Sequence, residues 1–552
     1  MKFLIYRPFA VVLALLVCAG VGAAERGSSL AKAERALTEG DYVGGVEAYV
    51  AAASTTDNIE TARQATLTAY DFGFDKLATE AAERWSSLDD TAVKPKLYAA
   101  MATLRSGDRK GAVRAWRTVL DTPEAAQTAC EFVEQKFVRG IRADDAAWVF
   151  DTLAARYRDV PCVVYRAASA AASANDDEAA ERWLDRLRDI DAFDDEARLL
   201  QIALLIDDEE VDQAFTDETL RLSDAASVRQ QVQLALLNAR AEDLENAQVM
   251  LELLRDEHPD DAEVLEATAL VQLQAGEIDA SRESFLALLD SGGKTGSALY
   301  YLARFAEGQR RQDQALRLYS QIDSGEFVLD AQQRAAFLLS DRSGFIDAID
   351  HLEGFSDRNP RYGLDLSLSR AALYAQNEFY DQALELYSAY LAIRPRAEFA
   401  LLGKADTLLR KDEIDEAVDV FRGVVKMYPE SANALNSLGY TLADRTRKFR
   451  EAEKLIDKAL ELEPDNAAII DSKGWVLFRR GKYKDAREYL ERAYEQFPDA
   501  EVAAHLGEVM WKMGDEEAAR ELLQEAYRRD PADPTLRETI RRLMDEGPAT
   551  RS

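Results

Sequence analysis

Proline and glycine are scarce in this sequence, and their scarcity favours helices over turns and loops. The 552 residues include 13 prolines and 27 glycines, both below the usual shares of about 5% and about 7%. Apolar residues make up 47% of the chain, which is more than a disordered chain contains. Because the length exceeds what one hydrophobic core usually organises, we expect several domains or one long repetitive array.

A surplus of positive charge is also missing. The chain has 68 Lys and Arg against 101 Asp and Glu, and its net charge is −33. A surface this acidic repels phosphate, and the sequence has no basic stripe interleaved with aromatic residues of the kind that nucleic-acid binders use. We therefore predict no nucleic-acid partner.

Residues that carry catalysis or hold metals are few. The three histidines, His258, His351 and His505, are far apart in the sequence, and there is neither a paired-histidine zinc motif nor a serine nucleophile elbow. The run Gly292–Thr295 is similar to the end of a phosphate-binding loop, but Leu288 stands where that motif requires a glycine. We predict that the protein is not an enzyme and that it has no catalytic residue, metal or cofactor.

The N-terminus holds an unbroken apolar run that has the character of a targeting signal. Lys2 and Arg7 stand before the apolar residues Phe9–Val17, and small residues follow up to Ala24. This order is typical of a secretory signal peptide, here residues 1–24, with Glu25 as the new terminus. The segment is shorter than the roughly 20 residues of a membrane-spanning helix, so cleavage is favoured over an uncleaved anchor.

Lipidation of Cys18 is a second interpretation of the same segment. Leu15–Cys18 resembles a lipobox, whose cysteine is diacylated, although Val17 stands where that pattern has Gly, Ala or Ser. Both alternatives, cleavage after Ala24 and a lipid on Cys18, predict export to the periplasm or to the periplasmic face of the outer membrane. A lipid on Cys18 is the only membrane attachment that we expect.

A repeat of about 34 residues runs through the body of the chain. Its clearest copy is Ala467–Pro498, in which small, large and turn residues follow a fixed order: Gly474, Leu477, Gly481, Tyr483, Ala486, Leu490, Ala493 and Pro498. This pattern resembles the tetratricopeptide repeat (TPR) family, in which each repeat is a pair of antiparallel helices. Small residues let the two helices approach closely, and Pro498 ends the second helix because proline cannot continue the hydrogen-bonded turn.

Further copies extend the array in both directions. Five regular repeats cover about Leu364 to Pro531. In the upstream copies only part of the pattern remains, an alanine followed four residues later by a bulky apolar residue, as in Ala247 and Leu251. The resemblance implies an all-α, right-handed superhelical solenoid of TPR and TPR-like helix-turn-helix repeats, with roughly 13–15 pairs in all. We expect degenerate repeats over residues 25–363, a regular array over 364–545 and a flexible tail over 546–552.

The two remaining cysteines lie one repeat apart. In the register given above, Cys130 and Cys162 occupy nearly equivalent positions on the first helices of neighbouring repeats. The axes of packed helices lie about 8–10 Å apart, whereas the Cα atoms of a disulfide lie about 4.4–6.8 Å apart. We therefore expect two buried free thiols.

The resemblance to the TPR family also implies a partner-binding groove. In that family the second, fifth, ninth, twelfth and thirteenth residues of the first helices face the concave side of the array. Applied to the last three repeats, this register predicts a groove that contains Asn433, Asn436, Tyr440, Asp471, Trp475, Phe478, Arg479, Trp511 and Lys512. Aromatic and cationic side chains are frequent in binding hot spots, and Asn436 is suited to bond the main chain of an extended peptide. The alternative is that the aromatic residues pack against the neighbouring repeat.

Two short runs, Asn436–Asp444 and Ile470–Trp475, are more specific than the general repeat pattern. They resemble a group of exported proteobacterial TPR proteins, which includes an outer-membrane lipoprotein that partners a periplasmic carboxyl-terminal processing protease and presents cell-wall hydrolases to it. The resemblance implies a non-enzymatic adaptor or scaffold in the bacterial cell envelope that binds other proteins and brings a protease together with its substrates. The alternative is a TPR scaffold for exopolysaccharide or outer-membrane assembly machinery.

Overall fold

The structure is a computed structural model, and it describes residues 23–38, 41–122, 125, 126, 128, 129, 132, 141–207 and 210–545. Residues 1–22 of the predicted signal peptide, with Cys18, lie outside the described residues, as do Cys130 and the predicted tail 546–552. Within the described residues the chain forms 30 α-helices and no strand. The prediction of an all-α fold built from helix-turn-helix repeats is confirmed.

The chain divides into two compact units, Met1–Leu366 and Ser367–Ser552. The helices of the first unit are Ala23–Thr38, Tyr42–Ser54, Ile59–Asp71, Asp75–Leu88, Lys94–Arg105, Arg109–Leu120, Ala143–Arg156, Pro161–Ser173, Asp177–Asp189, Asp195–Asp207, Val211–Thr216, Val228–Arg240, Leu244–Glu257, Ala262–Gln274, Ile278–Ser291, Thr295–Gly308, Gln312–Tyr319, Val328–Ser343 and Phe345–Arg358. Among the residues that the structure describes, no helix has the length and apolar content needed to cross a bilayer.

The boundary between the units falls inside one helix, Pro360–Gln376. The other helices of the second unit are Tyr380–Ile393, Glu398–Arg410, Ile414–Met427, Ala432–Arg445, Phe449–Leu462, Ala467–Arg479, Tyr483–Gln496, Ala500–Met513, Glu516–Arg529 and Pro534–Ile540. A short 3₁₀ segment, Glu218–Leu220, belongs to the first unit, and a π-helical turn, Arg541–Asp545, ends the described chain. In each unit, helices pack mainly against the helices next to them in the sequence.

A residue with positive φ marks most of the turns between the two helices of a repeat. These residues are Gly73, Gly107, Asn175, Glu242, Gly276, Arg310, Gly344, Glu378, Asp412, Gly481 and Gly514. From Glu242 to Asp412, six successive members are each 34 residues apart. Glycine adopts positive φ freely, whereas other residues are strained there. The repeat period is thus confirmed in the upstream part of the chain, where the sequence pattern is weak.

Polar caps and glycines position the first helices of the last three repeats. Ser431, Asn466 and Asp499 each accept a hydrogen bond at a side-chain oxygen from a backbone N–H in the first turn of the helix that follows. A Cβ atom added to Gly474 would lie 2.5 Å from Leu490 Cγ, on the facing second helix. The structure therefore confirms that small residues allow the paired helices to approach closely.

The expectation of two free thiols is wrong. Cys162 is disulfide-bonded, and its partner lies outside the described residues. The distance between helix axes overestimates the distance between facing Cα atoms, because each Cα atom lies about 2.3 Å from its helix axis. Two Cα atoms that face each other across packed helices therefore come within the range that a disulfide needs.

Candidate protein-binding surface

The predicted groove residues lie on three successive first helices, Ala432–Arg445, Ala467–Arg479 and Ala500–Met513. The structure brings six polar side chains of these helices together around the Trp475 indole. We call this group the polar cluster, and its members are Tyr440, Asp444, Asp471, Arg479, Glu501 and His505. All six are buried or half-buried. The cluster therefore joins three repeats at the face where the sequence predicts a groove.

Tyr440 reaches past the neighbouring repeat. Its hydroxyl donates to Glu501 Oε1 at 2.8 Å and lies 3.5 Å from His505 Nε2, and both partners are two repeats further along the chain. Burial strongly raises the pKa of Tyr440, and the Glu501 carboxylate raises it further. The hydroxyl therefore keeps its proton and acts as a hydrogen-bond donor at this position.

His505 is the most deeply buried titratable side chain of the cluster, with 2% of its surface exposed. Its Nδ1 lies 3.0 Å from each carboxylate oxygen of Asp471. Burial alone would lower the pKa of His505, but the carboxylates of Asp471, Glu501 and Asp444 together outweigh burial, so the pKa is raised. Burial also raises the pKa of Glu501, although the nearby His505 opposes this shift. The raised pKa values mean that the His505 imidazole and the Glu501 carboxyl group hold their protons more strongly than they do in water.

Trp475 and Phe478 pack between repeats. They are 7% and 8% exposed, and the Trp475 ring stacks on the His505 ring with centroids 4.1 Å apart. The Phe478 ring stacks against Trp475 at 5.1 Å, and the indole Nε1 donates to Asp444 Oδ1 at 3.2 Å. These contacts correspond to the packing alternative stated above, and direct binding of a partner by the two rings stays a prediction.

Arg479 is also engaged within the chain. Its guanidinium donates to the backbone oxygen of Asp444 at 2.7 Å and to the carboxylate of the same residue at 3.2 Å. It also lies 5.5 Å from the centre of the Phe449 ring. The cation predicted for partner binding therefore connects its own repeat to the preceding one.

The C-terminal segment packs on the last first helix. Glu508, at a groove position, is 6% exposed, and its Oε1 accepts a hydrogen bond from Arg542 at 2.8 Å. Trp511 is half-buried, with the Arg520 guanidinium 5.3 Å from its ring. Lys512 is exposed. Most of this end of the face is thus covered by the chain itself.

The accessible part of the face lies nearer the start of the second unit. Phe399, the second residue of the Glu398–Arg410 helix, is 62% exposed. Asn433, at the equivalent position of the next repeat, is exposed as well. Asn436 is half-buried, and its Oδ1 has no hydrogen-bond partner among the described residues. Phe399 and Asn433 are therefore the side chains of this part of the face that are open to a partner.

His505 is the member of the polar cluster that the groove register does not include. Asp444 and Glu501 stand at the thirteenth and second positions of that register, whereas His505 lies outside it. The signal that was present is the series of acidic groove positions in successive repeats, at Asp444, Asp471 and Glu501. In the part of the chain that the structure describes, no group of three or more His, Cys, Asp or Glu residues is arranged to hold a metal ion.

Comparison with protein families identifies the repeats. A tetratricopeptide repeat model matches residues 232–294, 266–327, 402–467 and 472–534. The chain is 41% identical over 247 residues to a TPR repeat-containing protein, PA4667, of Pseudomonas aeruginosa, covering 45% of this chain and 42% of that protein. It is 27% identical over 117 residues to the mitochondrial import receptor subunit TOM70 of Rattus norvegicus, covering 20% of this chain and 19% of TOM70. The chain thus spans less than half the length of these relatives.

Two solved structures are also similar to this chain. The crystal structure of yeast Tom70 matches with a TM-score of 0.34 and 14% identity, covering 95% of this chain and 96% of Tom70. A thermophilic TPR protein of Thermus thermophilus, TTC0263, matches with a TM-score of 0.30 and 21% identity, covering 33% of this chain and 98% of that protein. The repeat matches and the helix pairs described above show that this chain contains tetratricopeptide repeats within residues 232–327, 402–467 and 472–534.

Proposed function

We propose that this protein is a non-enzymatic adaptor of the bacterial cell envelope, which binds a partner protein on the first helices of its second unit. TPR repeats imply a protein-binding scaffold. The observation that carries the proposal is the exposed pair Phe399 and Asn433, which stand at the same groove position of consecutive repeats. Phe399 is 62% exposed, and an exposed aromatic ring can anchor an extended peptide while an exposed amide one repeat further along bonds its main chain.

The polar cluster supports this surface by fixing its geometry. Binding is stronger when the receiving surface is already ordered, because less conformational freedom is lost on association. The hydrogen bonds of Tyr440, Asp471 and Arg479 connect the repeat that carries Asn433 to the next two repeats. In this proposal the cluster holds the repeats in place, and the partner contacts the open side chains beside it.

Two observations support a location in the cell envelope. The N-terminal sequence has the order of a secretory signal. Cys162 is disulfide-bonded, and disulfides persist in oxidising compartments such as the periplasm. The proposed partners are a periplasmic carboxyl-terminal processing protease and cell-wall hydrolases, which the adaptor would bring together.

Affinity capture with matched variants tests the binding surface. The full chain, its Phe399→Ala variant and a control variant, Phe497→Ala, are immobilised and incubated with envelope extract. Phe497 is also strongly exposed, at 60%, but it lies in the connection after the Tyr483–Gln496 helix. We expect recovery of the protease and hydrolases to fall with Phe399→Ala and to stay unchanged with Phe497→Ala. Equal recovery from all three proteins would contradict the surface, and capture of assembly-machine subunits would favour the alternative scaffold.

Export is tested separately by intact-mass analysis of protein purified from the cell envelope. We expect a chain that begins near Glu25 or at a lipidated Cys18. Recovery of the unprocessed Met1 chain from the cytoplasm would contradict a location in the envelope, and it would leave the binding surface to be judged by the capture experiment.

A further inference from the structure

A second helix of the first unit has apolar residues on two opposite sides. On the Leu244–Glu257 helix, Ala247, Leu251 and Leu254 are buried in the core between repeats. Val249 and Leu253 lie away from that core and are 50% and 63% exposed. They are four residues apart, so they are neighbours on one face of the helix. Folding gains little from aliphatic side chains that remain so exposed.

The next second helix also has exposed aliphatic side chains. On the Ile278–Ser291 helix, Ile278 and Leu286 are 44% and 45% exposed. The second helix after that, Gln312–Tyr319, has no large exposed apolar side chain among its residues, all of which the structure describes. Four of the eight exposed Val, Ile and Leu side chains among the described residues therefore lie on two consecutive second helices.

The charge of the segment around these residues is mostly negative. Residues 242–290 contain 14 Asp and Glu but only two cations, Arg255 and Arg282. Among the described residues, two of the 14 acidic side chains form ion pairs, Asp279 with Arg282 and Glu266 with Lys294. Most of the negative charge in this segment is thus not neutralised within the chain.

Charge decides what this surface can receive. A second copy of the same surface, or a membrane of anionic lipids, would bring like charges together. A basic segment would instead place cations against the unpaired carboxylates while its apolar side chains cover Val249 and Leu253. An amphipathic helix carries both kinds of residue at the required spacing.

We infer that the outer faces of the Leu244–Glu257 and Ile278–Ser291 helices form a docking surface for a basic amphipathic helix of a partner protein. This surface lies on second helices of the first unit, whereas the surface under Proposed function lies on first helices of the second unit. The inference does not rest on that proposal. A TPR adaptor with two such surfaces would hold two partners at once.

Binding of synthetic helical peptides to the full chain tests the inference. The first peptide has leucine on one face and lysine on the other, the second replaces the leucines with glutamine, and the third replaces the lysines with glutamate. Fluorescence anisotropy gives the affinity of each. We expect binding of the leucine–lysine peptide, weakening with added salt, and binding at least roughly tenfold weaker for the other two. Equal binding of the glutamine–lysine peptide would mean that charge alone attracts it, and this would overturn the inference.

Variants of the chain locate the binding. In Val249→Gln/Leu253→Gln, polar side chains with good helix propensity replace the exposed aliphatic pair, and we expect roughly tenfold weaker binding. The matched control is Phe337→Gln, which changes a side chain that is 65% exposed outside this segment, and it should leave the affinity unchanged. Circular dichroism establishes that each variant remains folded.

A second pair of changes tests the role of charge at the same place. Glu252→Gln and Asp256→Asn remove two carboxylates from the Leu244–Glu257 helix without removing apolar surface. We expect weaker binding and a smaller dependence of the affinity on salt. Wild-type affinity in both the aliphatic and the charge variants, or an equal loss in Phe337→Gln, would overturn the inference.

Discussion

Trp475 is in contact with its neighbours on several sides. Its ring stacks on His505 and on Phe478, and its Nε1 donates to Asp444. A ring held in this way contributes packing, a polar bond and excluded water at once. Its packing role is therefore tested by measuring the stability of the repeats, in an experiment separate from partner binding.

We predict that Trp475→Ala lowers the free energy of unfolding of the C-terminal repeats by about 3–5 kcal/mol, because it leaves a cavity between repeats. Phe399→Ala, which removes an exposed ring, should change it by less than about 0.5 kcal/mol. Urea unfolding followed by circular dichroism measures both. Similar losses in the two variants would contradict the packing described for Trp475.

The buried His505 should make the stability of the C-terminal repeats depend on pH. Its pKa is raised in the folded state, where burial lowers it but the carboxylates of Asp471, Glu501 and Asp444 together outweigh burial. The stabilisation is therefore present below the unfolded pKa of about 6.5 and is lost as the pH rises through the folded pKa. The raised pKa of Glu501, caused mainly by burial, acts in the same direction from about pH 4.5 upwards.

We expect the melting temperature of the C-terminal repeats to fall as the pH rises from about 6 to about 9, and His505→Gln to flatten this dependence. His351→Gln is the control, because burial and then Arg358 lower the pKa of His351, so its contribution has the opposite sign. Differential scanning calorimetry at several pH values measures the trend. An unchanged slope in His505→Gln would count against the assignment.

The polar cluster shows which part of the site the sequence predicts. The repeat register places Tyr440, Asp471 and Trp475 on first helices, as expected. It does not show that the Tyr440 hydroxyl meets Glu501, 61 positions away, because this contact depends on how far successive repeats turn relative to one another. That angle is set by side-chain packing at two interfaces, which a single sequence does not specify.

Among the elements, the turn between paired helices shows how the 34-residue structural repeat is kept where the sequence pattern of the repeat is weak. Gly276, Gly481 and Gly514 can be recognised in the sequence, whereas Glu242 and Arg310 cannot, although all five have positive φ. The helices on either side fix the chain ends, so the turn adopts the same backbone conformation with a less favourable residue. This explains why the upstream repeats look degenerate yet keep the same period.

We predict that Gly481→Ala lowers the free energy of unfolding by about 1–2 kcal/mol, since φ is 76° at this turn and an L-residue is strained there. Gly423→Ala is the matched control. Gly423 lies inside the Ile414–Met427 helix with no atom near an added Cβ, so this change should stabilise the protein by about 0.5–1 kcal/mol. Chemical denaturation distinguishes the opposite signs, and equal signs would contradict the turn assignment.

At the scale of the whole molecule, the array should not unfold in one step. Repeats of this kind contact mainly their neighbours, so stability is distributed along the chain. We predict that the C-terminal repeats keep their amide protons longest in hydrogen exchange, since they have the most regular packing and the polar cluster. Uniform loss of protection from Leu30 to Leu543 would contradict this prediction.

Negative charge is unevenly distributed over the molecule, and the sequence alone shows it once the units are known. The Met1–Leu366 unit has 65 Asp and Glu against 39 Lys and Arg, whereas the Ser367–Ser552 unit has 36 against 29. Composition predicts an acidic surface, but the boundary between the units is needed to assign most of the excess negative charge to the Met1–Leu366 unit. The exposure of Val249 and Leu253 within that unit could not be predicted. When a helix has apolar residues on two faces, its sequence pattern does not show which face packs against the neighbouring helices.

The hydrogen bond from Tyr440 to Glu501 limits how this end of the array can change in length. Tandem repeats are commonly gained or lost one at a time, because each interface resembles the next. Here a side chain of one repeat is matched to a carboxylate two repeats away, so a repeat inserted between them would leave both groups buried and unpaired. The three repeats from Ala432 to Arg529 are therefore matched to one another as a set, and an engineered version of this protein with a repeat added or removed inside the set should be less stable than one changed outside it.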